Sequence, residues 1–336
     1  MLGFVGSMAS VSSFFFSVVG VVVSFLSLSS LGVWVGMELS FLSVLCFASG
    51  SSVEETEAMM KYYVVQVLGS CVCAMGFLLT VNFLEALLGQ FLVMVGMLVK
   101  LGVFPFHFWV APVVGKLSWA GCASVLLLQK LVPLWVLNNY IFLFKDVSRV
   151  EFLCCMTSLV GCLGGLNVLN YRVLLGFSSI QNLGPMILLC CCQEFGLWVY
   201  VLLYFVSSGF LMVSLWQLGV YSFQDMVKES SFGGLSDLWW VSLYFLSSAG
   251  LPPFLGCVLK VILLSGCWGA MPIGTGFCVM TSCISLVFYL SVVLAMVVYW
   301  GKVALLFTKS KNSVLSALSL LVNLAGGFII FLVMSL

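Results

Sequence analysis

Long apolar stretches, each close to the length of a membrane-crossing helix, succeed one another through the chain with only short polar joints between them. A transmembrane helix needs about 20 mainly apolar residues, and the pattern predicts eleven spans: 9–28, 31–48, 60–81, 86–109, 118–138, 150–168, 171–192, 196–219, 239–264, 275–300 and 313–335. The first two are joined so tightly that a helical hairpin is expected. The predicted fold is all-α, a polytopic transmembrane helical bundle forming a single membrane domain over 1–336. No joint is long enough to separate soluble domains; the largest, around Ser222–Asp237, reads as a connecting loop.

Two spans are singled out by proline in an otherwise apolar helix. The fourth contains Lys100-Leu-Gly-Val-Phe-Pro105-Phe-His107-Phe-Trp109, and the ninth contains Gly250-Leu-Pro252-Pro253-Phe-Leu-Gly256. Proline removes a backbone donor and clashes with the preceding turn, so it kinks or breaks a helix. Within a bilayer the freed backbone groups are tolerated only where protein or a hydrated cavity satisfies them. The two breaks lie five spans apart, as expected if spans 1–5 (9–138) and 6–10 (150–300) are related units followed by a C-terminal helix (313–335). A five-helix repeat reverses its membrane orientation at each copy, which is an inverted-repeat architecture.

Composition agrees with the pattern. Of 336 residues, 63% are hydrophobic and 7% charged, against roughly 25% charged in soluble domains. A net charge of +1 gives no basis for a nucleic-acid partner. Phe, Val, Gly, Leu, Cys and Trp are plentiful while Pro, His and Gln are scarce, which reads as a G+T-skewed coding strand of the kind found in organellar genomes. The opening Met-Leu-Gly-Phe-Val-Gly-Ser has no basic n-region and no Arg-rich amphipathic character, so it does not read as a signal or transit peptide. Counting alternate joints, Lys61, Lys116, Arg172, Lys228, Lys302, Lys309 and Lys311 fall on one side and Lys145 and Arg149 on the other. By the positive-inside rule the N-terminus is expected on the matrix or cytoplasmic side.

Charges that stay inside the spans are the candidate working parts. Glu38, Lys100, Lys130 and Lys260 lie well within apolar segments, where each costs about 2.5–3.5 kcal/mol or more, and such residues mark ion or proton pathways. The alternatives for any one of them are a structural ion pair or a side chain reaching the interface. Burial disfavours a lysine's charged form, and a carboxylate opposes that effect. At about 4 Å and an effective dielectric near 20 the pair is worth roughly 4 kcal/mol, about three pKa units. Making and breaking a Glu38–lysine pair is therefore a way to load and release a proton. His107, the single histidine, is either a further relay or a neutral ring held by a backbone carbonyl.

Other features carry less. The fourteen cysteines lie mostly in apolar runs, where free Cys behaves as a small hydrophobe, and no CxxC pair accompanies them; no metal, haem or iron–sulfur site is expected. Gly32-xxx-Gly36 and Gly161-xxx-Gly165 suit close helix packing. Glu85, Asp146, Glu151 and Glu194 are expected at membrane edges, and Glu54, Glu55 and Glu57 in an acidic, solvated loop. No phosphate-binding glycine motif or nucleophile–base arrangement is present, so the chain is not expected to bind NADH, flavin or ATP.

At these residues the chain resembles the subunit 2 family among the antiporter-like membrane subunits of NADH:ubiquinone oxidoreductase (respiratory complex I). Trp34-Val-Gly36-Met-Glu38 resembles W-x-G-x-E, and Glu57-Ala-Met-Met-Lys61-Tyr62-Tyr63-Val-Val-Gln66 resembles E-A-x-x-K-Y-F-x-x-Q. The segment from Lys100 to Trp109 is similar to K-L-G-x-x-P-F-H-F-W, and Gln129-Lys130-Leu-Val-Pro133 to Q-K-x-x-P. Gly164-Gly165-Leu-Asn167 followed by Ser178-Ser179-Ile180 resembles G-G-L-N and Y-S-S-I, and Gly250 to Gly256 with Lys260 beyond resembles G-L-P-P-x-x-G-F-x-x-K. Departures are Tyr63 for Phe, Phe177 for Tyr and Cys257 for Phe, none at a charged position.

The resemblance implies a proton-translocating subunit of the mitochondrial inner membrane in which Glu38 and Lys100 form a carboxylate–lysine pair. Lys130 becomes a central relay and Lys260 the lysine of the second broken helix. It implies that NADH, FMN, iron–sulfur clusters and ubiquinone sit on other subunits, that neighbouring membrane-arm subunits are the partners, and that lipids such as cardiolipin bind at the edges. Two other readings stay open at this point: a stand-alone cation/proton antiporter, and a membrane-arm spacer whose charges only hold helices together.

Overall fold

The computed structural model describes residues 2–50, 52–81, 86–141, 147–223, 225, 235–252, 254–303 and 321–328. All repetitive structure among the described residues is helical, with one isolated bridge between Asn170 and Ser222. Helices stand at each of the first ten expected spans, and the eleventh is described, as helix, over 321–328. Seven helical stretches among the described residues are long and apolar enough to cross a bilayer.

The chain divides into two compact units, Met1–Thr157 and Ser158–Leu336. The first opens with the expected hairpin, α1 (Leu2–Leu26) and α2 (Ser30–Ala48). The turn is held by Ser29, whose hydroxyl accepts the Gly32 N–H at 3.1 Å and satisfies an orphan donor of the first helical turn. The two helices approach closely where Gly36 faces α1: a Cβ there would lie 2.7 Å from the Ser24 nitrogen. In a membrane, where lipid tails are as apolar as leucine, such small-residue contacts replace the hydrophobic drive for helix association.

Helix α3 (Val53–Val81) begins seven residues before the expected span, so the acidic stretch is not a loop. Glu54 and Glu55 occupy its first turn, where carboxylates favour the positive end of the helix dipole. Glu57 pairs with Lys61 at 2.7 Å and with Lys116 at 2.8 Å. That second pair fixes the start of α3 and the Lys116 turn at one end of the unit, in agreement with the alternation of joints. Glu85 and Asp146 lie outside the described residues, as do Lys145, Lys228, Lys309 and Lys311.

The fourth span is broken as expected. Helix α4 (Ala86–Leu101) stops, a 3-10 turn covers Phe106–Trp109, and α5 (Val110–Val114) resumes. The fifth span departs from expectation. It runs as α6 (Trp119–Ala123), a π-helical turn over Ser124–Leu128, and α7 (Gln129–Ile141) with Pro133 inside it. Pro133 offers no N–H to the Gln129 carbonyl one turn back, and a widened turn at this place accommodates the mismatch.

The second unit continues α8 (Val147–Gly164) and contains α9 (Tyr171–Cys192), α10 (Glu194–Leu218), α11 (Leu235–Ala249), α12 (Leu255–Cys267), α13 (Pro272–Val303) and α14 (321–328). Helix α9 is its central element: it is buried along most of its length, although it carries Ser178, Ser179, Gln181, Asn182 and Pro185. The ninth span is broken between α11 and α12, with Pro252 in the break; Pro253 lies outside the described residues. The reading of two proline-bearing spans needs correction, since Pro133 and Pro185 also lie within spans and their helices continue through them.

Candidate functional site

What distinguishes the two true breaks is a glycine in the left-handed region ahead of the proline. Gly102 has φ 74° and Gly250 has φ 75°, a conformation that costs a residue with a Cβ roughly 1–2 kcal/mol. At the first break the Gly102 N–H bonds the carbonyls of Leu98 and Val99 at 3.1 and 3.2 Å, and the Val103 N–H returns to Leu98 at 3.1 Å. This closes α4 by a left-handed glycine cap, leaves the Lys100 carbonyl to an outside donor and leaves the Val99 carbonyl room for a second one. Trp109 Nε1 donates to Val99 at 3.2 Å and Gln66 Nε2 to Lys100 at 3.1 Å. Both donors belong to the motifs quoted above, and both do what a broken helix in lipid requires.

Lys100 sits in the last turn of α4, and its Nζ lies 3.1 Å from Oε1 of Glu38 on α2. The side chains are 5% and 20% exposed. The ammonium is stabilised twice, by the carboxylate and by the negative end of the half-helix. Beside the pair is a cavity of about 10 Å³ whose lining includes Ser40, Gln66, Lys100 and Gln129. That is about the least space that holds one water. Gln129 Nε2 donates to the Ser40 carbonyl at 3.0 Å, linking α7 to α2 at the cavity.

Lys130 is the second residue after the π turn and is 5% exposed. It shares α7 with Gln129 and Pro133, both of which line the Lys100 cavity. His107 falls in the middle of the 3-10 turn after Pro105, half-buried, its ring stacked on Phe104 at 6.2 Å between centroids. Sequence reasoning passed over Tyr62. It is fully buried, packs against Phe41 and Trp109 at 5.7 and 5.5 Å, and its hydroxyl has no hydrogen-bond partner among the described residues.

In the second unit Lys260 projects from α12 back to the end of α11, where its Nζ donates to the Ala249 carbonyl at 3.0 Å. Gly250 makes this approach possible: a Cβ there would lie 2.5 Å from Cε and 2.7 Å from Nζ of Lys260. Gly256 is required for a similar reason, since a Cβ there would run into the Ser247 carbonyl. A cavity of about 40 Å³ adjoins Lys260, lined in part by Gln181, Asn182, Tyr200, Ser248 and Tyr289, with room for two or three waters. Tyr200 donates to Asn182 Oδ1 at 3.0 Å, Asn182 Nδ2 donates to the Ser178 carbonyl at 2.8 Å, and the Tyr289 hydroxyl meets those of Ser178 and Ser248.

The structure therefore brings Glu38 and Lys100 into contact, buries Lys130 near the same cavity, and gives Lys260 a carbonyl partner and a polar chamber. The uncharged members of these sites are hard to read from sequence because an amide or hydroxyl costs far less to bury than a charge. The signal for them was present in the run Ser178-Ser179-Ile180-Gln181-Asn182, polar residues too closely spaced for a lipid-facing helix. Among the described residues no group of three or more His, Cys, Asp or Glu converges. The fourteen cysteines are free.

Comparison with known proteins gives this geometry a family. Residues 27–285 match the family model described as NADH:quinone oxidoreductase/Mrp antiporter, TM. The chain is 31% identical over 313 residues to NADH-ubiquinone oxidoreductase chain 2 of Branchiostoma floridae, covering 88% of this chain and 89% of that one. It is 28% identical over 327 residues to the protein of the same name from Albinaria caerulea, covering 94% and 96%. Its fold matches a chain of respiratory complex I from Thermus thermophilus with a TM-score of 0.70 at 20% identity, over 91% of this chain and 76% of that chain. The chain belongs to the NADH:quinone oxidoreductase/Mrp antiporter transmembrane family, among its NADH-ubiquinone oxidoreductase chain 2 members.

Proposed function

We propose that this chain moves protons as a membrane-arm subunit of NADH:ubiquinone oxidoreductase, coupling quinone reduction elsewhere in the complex to proton movement through its buried Glu and Lys residues. The observation that carries the reading is the Glu38–Lys100 pair, 3.1 Å apart at the end of a broken helix and beside a water-sized cavity. A charge pair set there has two states available. With Glu38 ionised and near, the lysine holds its proton; with the carboxylate protonated or withdrawn, burial favours release. The proton then needs only a neighbouring acceptor, for which a water in the cavity and Lys130 are the candidates.

In this reading Lys130 is the central relay, and Lys260 holds or passes a proton at the second break, where the polar chamber of α9, α10 and α13 supplies sites for water. His107 is a further relay candidate on the first break. The stretches 9–138 and 150–300, each with one broken helix, are read as five-helix repeats of inverted type. NADH, FMN, iron–sulfur clusters and ubiquinone belong to other subunits, and the partners are the adjacent membrane-arm subunits, with lipids such as cardiolipin at the exposed faces. The setting is the mitochondrial inner membrane with the N-terminus on the matrix side.

The test is a pair of substitutions in the assembled complex, Glu38→Gln and Lys100→Met. Each is expected to lower proton translocation, and the double variant to lose little more than the worse single one, because the two groups act as a unit. Full pumping and unchanged quinone reduction in Glu38→Gln would remove the switch from the account.

A further inference from the structure

The C-terminal helix α14 lies beyond the stretch matched by the family model, which ends at residue 285. Its exposed positions are apolar: Leu321, Val322 and Phe328 are 63%, 43% and 57% exposed, as suits a face toward lipid. One polar residue breaks the pattern. Asn323 is 2% exposed, and its Oδ1 accepts the hydroxyl of Ser247 at 2.9 Å in a buried bond between two helices.

Ser247 behaves unlike its neighbours. Ser242 and Ser248 donate within their own helix, to Trp239 and Phe245 carbonyls at 2.8 Å each, the usual choice for a helical serine in an apolar setting. Ser247, 1% exposed, donates to another helix. Its position is three residues before Gly250, where the ninth span breaks. Its carbonyl accepts the Gly250 N–H at 3.0 Å and lies against Gly256 on the far side of the break. Helix α14 also reaches that far side: a Cβ on Gly326 would overlap the side chain of Leu255, the first residue of α12. So α14 touches α11 through Asn323 and α12 through Gly326, across the break that seats Lys260 on Ala249.

We propose that α14 is a clamp on the second broken helix, and that Asn323, acting through Ser247, is a positioning residue for Lys260. The inference rests on the reading of Lys260 as part of the proton path. The Ser247–Asn323 bond fixes the last turn of α11; that turn carries Ala249, whose carbonyl holds the Lys260 ammonium. Without the bond, Ser247 turns back to a carbonyl of its own helix, and the register between the two half-helices rests on packing and on the Lys260–Ala249 bond itself.

The experiment compares Asn323→Leu, Ser247→Ala, their combination and Lys260→Met in the assembled complex, with rates normalised to the amount of complex formed. Each single clamp variant is expected to slow proton translocation about threefold, the weight of an average interhelical hydrogen bond in a membrane. The combination should be no slower than the worse single variant. Both should also shift the pH profile of translocation, because the carbonyl that favours the charged lysine is no longer fixed; a helix that only packs would leave the profile in place. Ser247→Ala removes one oxygen and carries the test if Asn323→Leu fails to assemble. If Lys260→Met slows translocation while both clamp variants keep the wild-type rate and profile, the clamp is overturned and the proton path stands. If Lys260→Met itself has no effect, the path through Lys260 and the clamp fall together.

Discussion

Tyr62 and Gln66 stand one turn apart on α3, and the structure treats their polar atoms in opposite ways. Gln66 spends its amide on the Lys100 carbonyl left free by the helix break, while the buried Tyr62 hydroxyl has no hydrogen-bond partner among the described residues. Leaving a buried polar group without a partner costs about 1–3 kcal/mol. Tyr62→Phe should therefore leave thermal stability unchanged or raise it, whereas Gln66→Leu, which orphans a carbonyl, should lower stability by about 1–3 kcal/mol. Thermal unfolding of the purified complex followed for this subunit checks both, and a clear loss in Tyr62→Phe would mean that the hydroxyl has a partner. Residues like these are poorly legible in sequence. A charge inside an apolar run announces itself by its cost, and so Glu38, Lys100, Lys130 and Lys260 stood out. An amide or hydroxyl costs less to bury, and whether it satisfies a carbonyl depends on a distant helix. Asn182, Tyr200, Tyr289 and Asn323 were invisible for that reason.

Helices were legible as elements because each had to be long and apolar, and the first ten spans all contain one. Their irregularities were read less well. Proline marked the breaks at Pro105 and Pro252, but Pro133 and Pro185 sit in helices that continue. Ahead of Pro105 and Pro252 the backbone turns left-handed, at Gly102 and Gly250, and among the described residues no such glycine precedes Pro133 or Pro185. Alanine at either glycine is expected to cost roughly 1–2 kcal/mol in backbone strain alone. Gly250→Ala should do more, because its Cβ would meet the Lys260 ammonium: proton translocation should fall further in Gly250→Ala than stability does, as read by the pumping rate against the unfolding midpoint of the same preparation. Equal pumping in wild type and Gly250→Ala would mean that the Lys260–Ala249 contact is incidental. The π turn before Lys130 lies one turn ahead of Pro133, but a one-residue widening leaves the apolar pattern almost unchanged and so left no trace in it. The start of α3 was misjudged because Glu54, Glu55 and Glu57 look like a loop, although acids in a first turn favour the helix.

At the scale of the molecule, alternation of joints sorted the basic residues onto two sides, and the Glu57–Lys116 pair bears this out for one end of the first unit. The orientation proposed from the positive-inside rule would place Lys61 and Lys116 on the matrix side. A membrane-impermeant acylating reagent should spare both lysines in sealed vesicles of native orientation and modify them in inverted ones; the reverse pattern would invert the topology. The central claim is that the buried charges carry protons instead of holding helices together, and Lys130 separates these most cleanly. It is 5% exposed, beside a widened helical turn and one residue from the cavity that adjoins Lys100. The decisive measurement is the number of protons moved per electron pair by the assembled complex in sealed vesicles when Lys130 is replaced by methionine. The account predicts a fall in that ratio in complex that still assembles. An unchanged ratio, with full quinone reduction, would contradict it.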